Sequence, residues 1–342
     1  MQPDKLFAAL RPSLIRLAYR MLGSVSDAED VVQEAWMRWD RSEHDAIREP
    51  AAWLTTTVTR LCLNELESAR RKRETYVGVW LPEPVIEDEE TESIDDIALP
   101  LMMALERLSP LERAAFLLHD VFGMSFDEVA DAIGRRAAAC RQLASRARKH
   151  VRAARPRFTV TRERGQEIAA AFFAASREGD LERIRSLLAD DVIAYADGGG
   201  RVPASMHPLV GIDAVMARHA QLAQEFRTSP SQLVRYAYIN GLPGFITIEG
   251  HGIVQTTGLL ISKGRISAIY ITRNPEKLRH VERVFCRGRT DTVNTDDSSS
   301  LRPPHSPALT KLPEHSVQSE RMKRKSINTP PAVNPCACTS EA

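Results

Sequence analysis

Residues 125–152 read SFDEVADAIGRRAAACRQLASRARKHVR, and this stretch decides the fold class of the part of the chain around it. Ser125 and Glu128 have the spacing of a capping box, which predicts that a helix begins here. Gly134 then breaks the helical pattern, and a second, basic helix is predicted from about residue 136 onward. Two helices joined by a short glycine-containing turn predict a helix-turn-helix motif.

The second helix of this motif carries charge of one sign. Between residues 135 and 157 there are nine Arg or Lys residues and no Asp or Glu, although the whole chain has a net charge of only +1. A solvated basic helix is the ordinary explanation. In a helix-turn-helix, however, the second helix lies in the major groove of DNA, where Arg and Gln can contact base edges. The predicted contacts are Arg135, Arg136, Arg141, Gln142, Ser145, Arg146 and Lys149.

The first part of the chain, residues 1–75, has apolar residues at the helical period throughout, which predicts a second all-α domain. Ser26 and Glu29 predict the capped start of one helix, and Pro50 predicts the start of another that runs to about Arg73. Polar side chains repeat at intervals of three and four residues on one face of the latter helix: Thr57, Arg60, Asn64 and Arg71.

Residues 76–100 connect the two helical domains. The pentapeptide WLPEP at residues 80–84 contains two prolines, and from Glu83 to Asp96 the chain carries eight acidic residues without a Lys or Arg. This composition predicts an extended, acidic linker. Because an aromatic ring in such a segment usually packs on a neighbouring domain, we expect Trp80 to be a docking point.

The pattern changes from helices to strands in residues 162–278. Two helices precede five predicted strands, a helix near residues 212–226 separates the first strand from the second, and Lys263-Gly264 predicts a hairpin turn. The fold class predicted is therefore multidomain, with two all-α domains followed by an α+β domain. The Ser-, Thr- and Pro-rich C-terminal segment predicts a mostly disordered tail. The predicted boundaries are 1–75, 76–100, 101–158, 162–278 and 279–342.

Several classes of protein are disfavoured by the composition. No window approaches 18 consecutive apolar residues and no hydrophobic signal core follows the first residues, so we expect a cytoplasmic chain that has no membrane contact. The five cysteines are odd in number and lack framework spacing, which predicts reduced thiols. The pair Cys336 and Cys338 has no further Cys or His at metal-ligand spacing, so we predict neither a metal nor a cofactor.

Two helical domains joined by an acidic linker resemble the layout of extracytoplasmic-function sigma factors of RNA polymerase. The sequence DAEDVVQEAW at residues 27–36 is similar to the family's region that binds the clamp helices of core polymerase. WL at 53–54 with LCLN at 61–64 resembles its helix for the −10 promoter element, although the family usually has Asp in place of Asn64. SPLER at 109–113 with RQLASRAR at 141–148 resembles its region for the −35 element.

This resemblance implies partners and residues for them. Core polymerase would be bound through its clamp helices and flap, and double-stranded promoter DNA would be contacted by both helical domains. Polymerase contacts are implied at Asp27, Asp30, Val31, Gln33 and Glu34. Contacts with the −10 element are implied at Thr57, Arg60, Asn64 and Arg71, and contacts with the −35 element at the seven residues of the basic helix.

Three further motifs are similar to signatures of the SigJ-type subgroup of these sigma factors: WLPEP at 80–84, DGGGR at 197–201 and NPEKL at 274–278. That subgroup carries a fused SnoaL-like domain, a cone-shaped α+β barrel related to ketosteroid isomerases. The resemblance implies that the barrel controls sigma activity in cis and replaces a separate anti-sigma factor. The implied interdomain residues are Trp80, Pro82, Glu83, Asp197, Gly198, Gly199, Asn274, Pro275 and Lys277.

An enzyme that acts through the barrel is the alternative from another functional class. Its acid/base candidates are Asp197, Arg201, His207, His219 and His251. A packed histidine is the simpler explanation of His219, and a loop that needs positive backbone dihedrals is the simpler explanation of Asp197 and the glycines after it. We therefore predict no catalytic residue, and we favour a small-molecule ligand of unknown identity that binds the barrel and shifts the domain arrangement.

Overall fold

The protein is described here from a computed structural model that covers residues 3–87, 99–152 and 160–285, without the side chains of residues 67–74 and His251. Helices alone form the first part, as predicted. They are α1 (Pro3–Leu22), α2 (Val25–Asp40) and α3 (Pro50–Glu74), with a single 3-10 turn at His44–Ala46. The predicted disordered tail lies outside the described residues from residue 286 onward.

The start of α2 differs from the prediction. Ser24, not Ser26, caps the helix, because its hydroxyl accepts a hydrogen bond from the Asp27 N–H at 3.1 Å. The carboxylate of Glu83 in the linker accepts hydrogen bonds from the Val25 N–H at 2.8 Å and from the Ser24 hydroxyl at 2.9 Å. The Ser26–Glu29 capping box is therefore wrong, since Ser24 binds the Asp27 N–H and a distant carboxylate binds the Val25 N–H.

The linker is extended, as predicted, but its first part is buried rather than solvated. Leu81, Pro82, Glu83 and Pro84 are all buried, and Leu81 has no exposed surface. Strand β1 (Ile86–Glu87) follows directly and pairs antiparallel with the barrel. The rest of the acidic run, residues 88–98, lies outside the described part of the chain.

The second helical part has the predicted helix-turn-helix. Ser109 with Glu112 and Ser125 with Glu128 both form complete capping boxes, and Gly134 ends a helix at φ +65°. Helix α5 continues into a π-helical turn at Leu117–Val121. The helices of this part are α4 (Leu99–Leu105), α5 (Pro110–Phe116), α6 (Phe126–Ile133) and α7 (Ala137–Arg152).

The third part is an α+β barrel. Its sheet has the order β1-β4-β5-β6-β7-β2-β3, in which β2 is parallel to β7 and all other pairs are antiparallel. Its helices are α8 (Arg162–Glu178), α9 (Leu181–Leu187), α10 (Ile212–Thr228) and α11 (Pro275–Phe285). Its strands are β2 (Leu188–Asp197), β3 (Leu209–Val210), β4 (Gln232–Ile239), β5 (Leu242–Glu249), β6 (Ile253–Ser262) and β7 (Arg265–Thr272).

The barrel strands agree with the prediction except at three places. The structure extends β2 in both directions beyond residues 192–196, where the sequence predicts a strand, and it begins β5 at Leu242 rather than at the predicted Phe245. Strand β3 is too short to give a sequence pattern. The turn at Lys263-Gly264 has φ of +52° and +76°, as a two-residue hairpin requires. The fold class is therefore as predicted: two all-α parts, the second a helix-turn-helix, and a cone-shaped α+β barrel.

The sheet divides two hydrophobic cores. Ala268 and Tyr270 of β7 belong to the core shared with the helical parts, whereas Ile269 belongs to the core between the sheet and α8 and Ile271 packs against that core. Neighbouring side chains of a strand point to opposite faces of its sheet. One face of the barrel is therefore packed on the helical parts, and its other face is left to line an interior.

Candidate nucleic-acid interface

Helix α7 presents its predicted contact residues together. Arg135, Arg136 and the five further candidates on α7 are all exposed. The opposite face of α7 is buried in the core through Cys140, Leu143, Ala144, Ala147 and Val151. Because one face is fixed by packing, the cations of the other face form a continuous surface that phosphate groups can approach.

Two cations of α7 already have carboxylate partners. Arg146 Nε lies 2.8 Å from Glu112 Oε1, and Arg148 Nε lies 2.6 Å from Asp120 Oδ1. Partial burial raises the pKa of Glu112, but hydrogen bonds from Ser109 and the charge of Arg146 lower it overall. Glu112 is therefore an anion that holds the Nε side of the exposed Arg146 guanidinium.

The polar face of α3 is partly covered by the helix-turn-helix. Arg60 donates from Nη2 to the Asp131 carbonyl at 2.7 Å and from Nε to the Ala132 carbonyl at 3.2 Å. These carbonyls lie in the last turn of α6, where the helix dipole favours a cation. Thr57 donates back to the Trp53 carbonyl at 2.9 Å, Asn64 is exposed, and the Arg71 side chain lies outside the described residues.

The predicted polymerase contacts on α2 are split between its two faces. Asp30 and Gln33 are exposed, Asp27 is half-buried, and Glu34 accepts a hydrogen bond from Arg38 at 2.9 Å. Val31 is only 9% exposed and packs in the helical core. The surface of α2 thus offers an acidic and polar face, while Val31 helps to hold that face in place.

Two of the predicted interdomain residues, Gly199 and Lys277, bond to the carboxylate of a third, Asp197, as do Tyr76 and Leu81, which were not predicted. Asp197, at the end of β2, is fully buried. Its Oδ2 accepts hydrogen bonds from the Leu81 N–H at 2.8 Å and from Lys277 Nζ at 2.7 Å. Its Oδ1 accepts hydrogen bonds from the Tyr76 hydroxyl at 2.5 Å and from the Gly199 N–H at 3.1 Å. We call Tyr76, Leu81, Asp197, Asn274 and Lys277 the latch, because they join the linker to the barrel.

The other members of the latch complete its contacts. Lys277 Nζ also donates to the Leu81 carbonyl and lies 4.2 Å from the centre of the Trp80 ring. Asn274 Nδ2 donates to the Tyr76 hydroxyl at 2.9 Å. Gly199 has φ +60°, and a Cβ on it would come within 2.3 Å of Asn274 Nδ2, so the loop needs glycine there. Gly198 is buried beside it, and Pro275 is exposed at the start of α11.

Three residues that the sequence analysis missed also join the parts. Asn240 donates from Nδ2 to the Tyr19 hydroxyl and from its backbone N–H to the Val85 carbonyl, the latter at 2.9 Å. The Tyr19 hydroxyl donates in turn to the Glu83 carbonyl at 2.7 Å. Arg113 is 2% exposed and donates to the Met21 carbonyl at 2.6 Å, which ties α5 to α1. Asn240-Gly241 has the signature of a hairpin turn, but that signature does not show its partners.

Comparisons with known proteins agree with these observations. Residues 6–72 match the family model for Sigma-70 region 2, and residues 98–151 match the model for Sigma-70, region 4. The chain is 40% identical to the ECF RNA polymerase sigma factor SigJ of Mycobacterium tuberculosis over 289 residues, which cover 79% of this chain and 91% of that protein. The chain belongs to the extracytoplasmic-function sigma factors.

Other relatives give the same family. SigI of Mycobacterium tuberculosis is 31% identical to this sigma factor over 280 residues, which cover 79% of this chain and 92% of that protein. The crystal structure of Mycobacterium tuberculosis SigJ superposes with a TM-score of 0.66 at 38% identity, over 81% of this chain and 98% of that one. The resemblance to SigJ-type sigma factors is thus confirmed. The exact domain boundaries stay a prediction.

The barrel of this sigma factor encloses a cavity of about 680 Å³. Of the acid/base candidates whose side chains are described, His219 alone lines it. Asp197 belongs to the latch, while Arg201 and His207 are exposed. Burial and the charges of Arg177 and Arg218 lower the pKa of His219 to about 4, so this ring is neutral near pH 7. The relatives indicate a transcription factor.

The described residues contain neither a cluster of metal ligands nor a membrane-spanning helix. Among residues 3–87, 99–152 and 160–285, no group of three or more Cys, His, Asp or Glu side chains is placed to hold a metal ion. Within these same ranges, no helix is both long and apolar enough to cross a bilayer. Cys62 and Cys140 are both buried free thiols.

Proposed function

We propose that the barrel of this sigma factor restrains its two DNA-binding parts in a closed arrangement, and that promoter-directed transcription begins when this restraint is released. The observation that carries the proposal is the contact of Arg60 with the Asp131 and Ala132 carbonyls. A side chain proposed to contact the −10 element is bound here by the domain proposed to contact the −35 element.

Promoter geometry supports this proposal. The two elements are named for positions that lie about 85 Å apart along the duplex, at roughly 3.4 Å per base pair. Helix α3 contacts α6 directly through Arg60, and α7 packs on α6. A small domain has a diameter of about 30 Å. Since α3 and α7 lie within such a distance, the closed arrangement cannot place both on one promoter.

The linker connects the barrel to both helical parts, which supports control in cis. Asn240 on the barrel accepts a backbone hydrogen bond at its carbonyl from the Leu99 N–H, at 3.0 Å, where α4 begins. Glu83 caps α2, and the Trp80 ring lies so close to Gly23 that a Cβ there would be 2.7 Å from it. A change in the latch therefore alters the contacts that Trp80 and Glu83 make at the start of α2.

We assign contact roles within this proposal. Asp27, Asp30, Gln33 and Glu34 contact the clamp helices of core polymerase while Val31 positions them, Thr57, Arg60, Asn64 and Arg71 contact the −10 element, and the flap meets the helix-turn-helix part. The −35 element is contacted by Arg135, Arg136, Arg141, Gln142, Ser145, Arg146 and Lys149. The opposite charges of these two surfaces support this division, because acidic side chains suit a basic protein surface and basic ones suit phosphate.

We also propose that no separate anti-sigma factor is needed. The Glu83 carboxylate accepts a hydrogen bond from the Val25 N–H at the start of α2. The barrel covers the adjoining core through Leu242, Ala268 and Tyr270. These are contacts that an external inhibitor would otherwise have to make.

The test is run-off transcription with core polymerase and a promoter library, using the full chain. Tyr76→Phe removes one hydroxyl of the latch, and Lys277→Met removes its cation. We expect both variants to raise the amount of transcript several-fold, with Lys277→Met having the larger effect because it breaks a buried ion pair.

Glu276→Gln is the matched control, since Glu276 is the neighbour of Lys277 and forms only an exposed ion pair with Arg201 at 3.0 Å. It should leave the amount of transcript unchanged. Folded latch variants that transcribe at the level of the unmodified chain, or below it, would contradict restraint by the barrel.

A further inference from the structure

We propose that the barrel cavity binds a small monocarboxylate with an apolar body, and that Arg273 is the residue that holds its carboxylate. This goes beyond the control in cis proposed above, and it rests on the shape and the charges of the cavity.

The cavity has the size and lining of a site for a small organic molecule. Its volume of about 680 Å³ lies inside the range of about 300–1,000 Å³ that is typical of ligand pockets. Apolar side chains supply much of its wall, including Phe172, Val215, Leu222, Phe245, Ile269 and Ile271. Such a wall favours a ligand with a hydrocarbon or aromatic body.

Arginine side chains outnumber carboxylates in the described wall of the cavity. Arg177 lies 2.8 Å from Glu249, and Arg218 lies 2.9 Å from Glu225. Arg273, the remaining cation of the described lining, has no carboxylate within ion-pair distance and donates from Nη1 to the Pro203 carbonyl at 2.9 Å. Arg273 is half-buried, and an anion stabilises a cation that is partly withdrawn from water, so the cavity has a place for one negative charge.

The Arg273 guanidinium also has an unused donor. Its Nε is buried and has no hydrogen-bond partner among the described groups. Burial lowers the pKa of Arg273, which shows that water stabilises its charge poorly. A carboxylate satisfies such a group well, because its two oxygens match the fork of N–H groups on arginine.

The surroundings of His219 favour a ligand with one negative charge over a ligand with two. Its Nδ1 is buried without a hydrogen-bond partner among the described groups, and its ring packs edge-on against Phe172 at 5.4 Å. Burial, together with the charges of Arg177 and Arg218, lowers the pKa of this ring and keeps it neutral. It therefore offers a neutral hydrogen bond and no second cation, which suits a monocarboxylate better than a doubly charged phosphate.

Arg273 also lies next to the latch. Its backbone N–H donates to the Asp197 carbonyl at 2.8 Å, and its side chain holds Pro203, which lies on the loop that follows Asp197. A carboxylate that binds the unused Nε acts on the same guanidinium that holds the Pro203 carbonyl through Nη1. Occupation of the cavity thus changes the loop beside Asp197, and this gives the ligand a route to the contacts between barrel and linker.

The experiment is titration calorimetry on the full chain with defined probes. Benzoate, 2-naphthoate and decanoate are compared with their neutral primary amides, which keep the apolar body and lose the charge. We expect at least one acid to bind more tightly than its amide by about tenfold or more, as a charge-assisted hydrogen bond provides. Arg273→Gln should reduce the affinity for that acid by a similar factor, and Arg273→Lys should reduce it less.

Arg265→Gln is the matched control, because Arg265 is exposed at the opposite end of the same strand. It should bind the acid as the unmodified chain does, and thermal unfolding confirms that each variant is folded. Three results would overturn the proposal: no acid binds, every amide binds as well as its acid, or a folded Arg273→Gln chain keeps the full affinity. The assay contains neither polymerase nor DNA, so its failure would leave the proposed control of transcription untouched.

Discussion

Asp197 and His219 are both acid/base candidates by sequence, and the structure places them in opposite surroundings. Asp197 accepts four hydrogen bonds at its two oxygens, and one donor is the Lys277 cation. Its negative charge is therefore fully compensated although the side chain is buried. His219 has an aromatic neighbour, two nearby arginines and an unsatisfied nitrogen. Asp197 joins the linker to the barrel, whereas His219 lines the cavity of the barrel.

The pH dependence of stability follows from His219. Its pKa is about 4 in the folded chain, well below its ordinary value of about 6.5. The unfolded chain therefore binds more protons between these values, and the free energy of unfolding falls as the pH drops from 6.5 to 4. His219 contributes about 3 kcal/mol to this loss. Urea denaturation across that range should show a clearly flatter profile for His219→Phe.

The exposed His207 provides the control for this measurement. The His207→Phe chain should keep the full decrease in the free energy of unfolding between pH 6.5 and 4. A profile for His219→Phe as steep as that of the control would disprove the assignment.

At the scale of elements, helix α2 depends on a residue outside itself. Glu83 lies 58 residues from Val25 in sequence, yet its carboxylate accepts the Val25 N–H. An anion at a helix N-terminus satisfies free amides and also interacts favourably with the helix dipole. The linker thus supplies a capping side chain for α2, the helix that we propose to contact polymerase.

Loss of this cap should destabilise α2. Glu83→Gln keeps the size of the side chain and removes its charge, and we expect the free energy of unfolding to fall by about 1–2 kcal/mol. Equilibrium denaturation in urea measures the change. Glu29→Gln removes an exposed acid from the first turns of the same helix and should change the free energy by less than about 0.5 kcal/mol. Equal effects of the two variants would show that Glu83 has no special role.

Elements were predictable where their energies are set within a few residues. The capping box at Ser125, the break at Gly134 and the turn at Lys263-Gly264 each depend on adjacent residues, and all three are confirmed. The Ser26 cap failed because the helix begins two residues earlier, where Ser24 accepts the Asp27 N–H and Glu83 of the linker accepts the Val25 N–H.

The contacts between parts were predictable only through the family resemblance. The latch motifs WLPEP, DGGGR and NPEKL do meet, but composition and periodicity alone gave no reason for it. Arg60 and its partner Asp131 are 71 residues apart, and Tyr19 and Asn240 are 221 residues apart. No local pattern encodes such pairs, since their formation depends on how whole domains pack.

At the scale of the whole molecule, the account depends on a closed arrangement that must open. The described helical parts share one hydrophobic core with each other and with one face of the barrel. Separation of α3 from α7 on a promoter exposes part of this core, so polymerase and DNA must supply compensating contacts. The latch contacts add to the free energy that polymerase and DNA contacts must supply to open the chain. This gives the barrel its proposed control over initiation.

The most direct test is a distance measured by single-molecule fluorescence energy transfer on the full chain. Dyes are placed through unnatural amino acids at Asp40 on α2 and Asp127 on α6, both of which are exposed. We predict one short distance for the free chain, a growing population with a longer distance in Lys277→Met, and a long distance when the chain is bound to core polymerase and promoter. An unchanged short distance in the promoter complex, or a free chain that is already extended, would contradict the account.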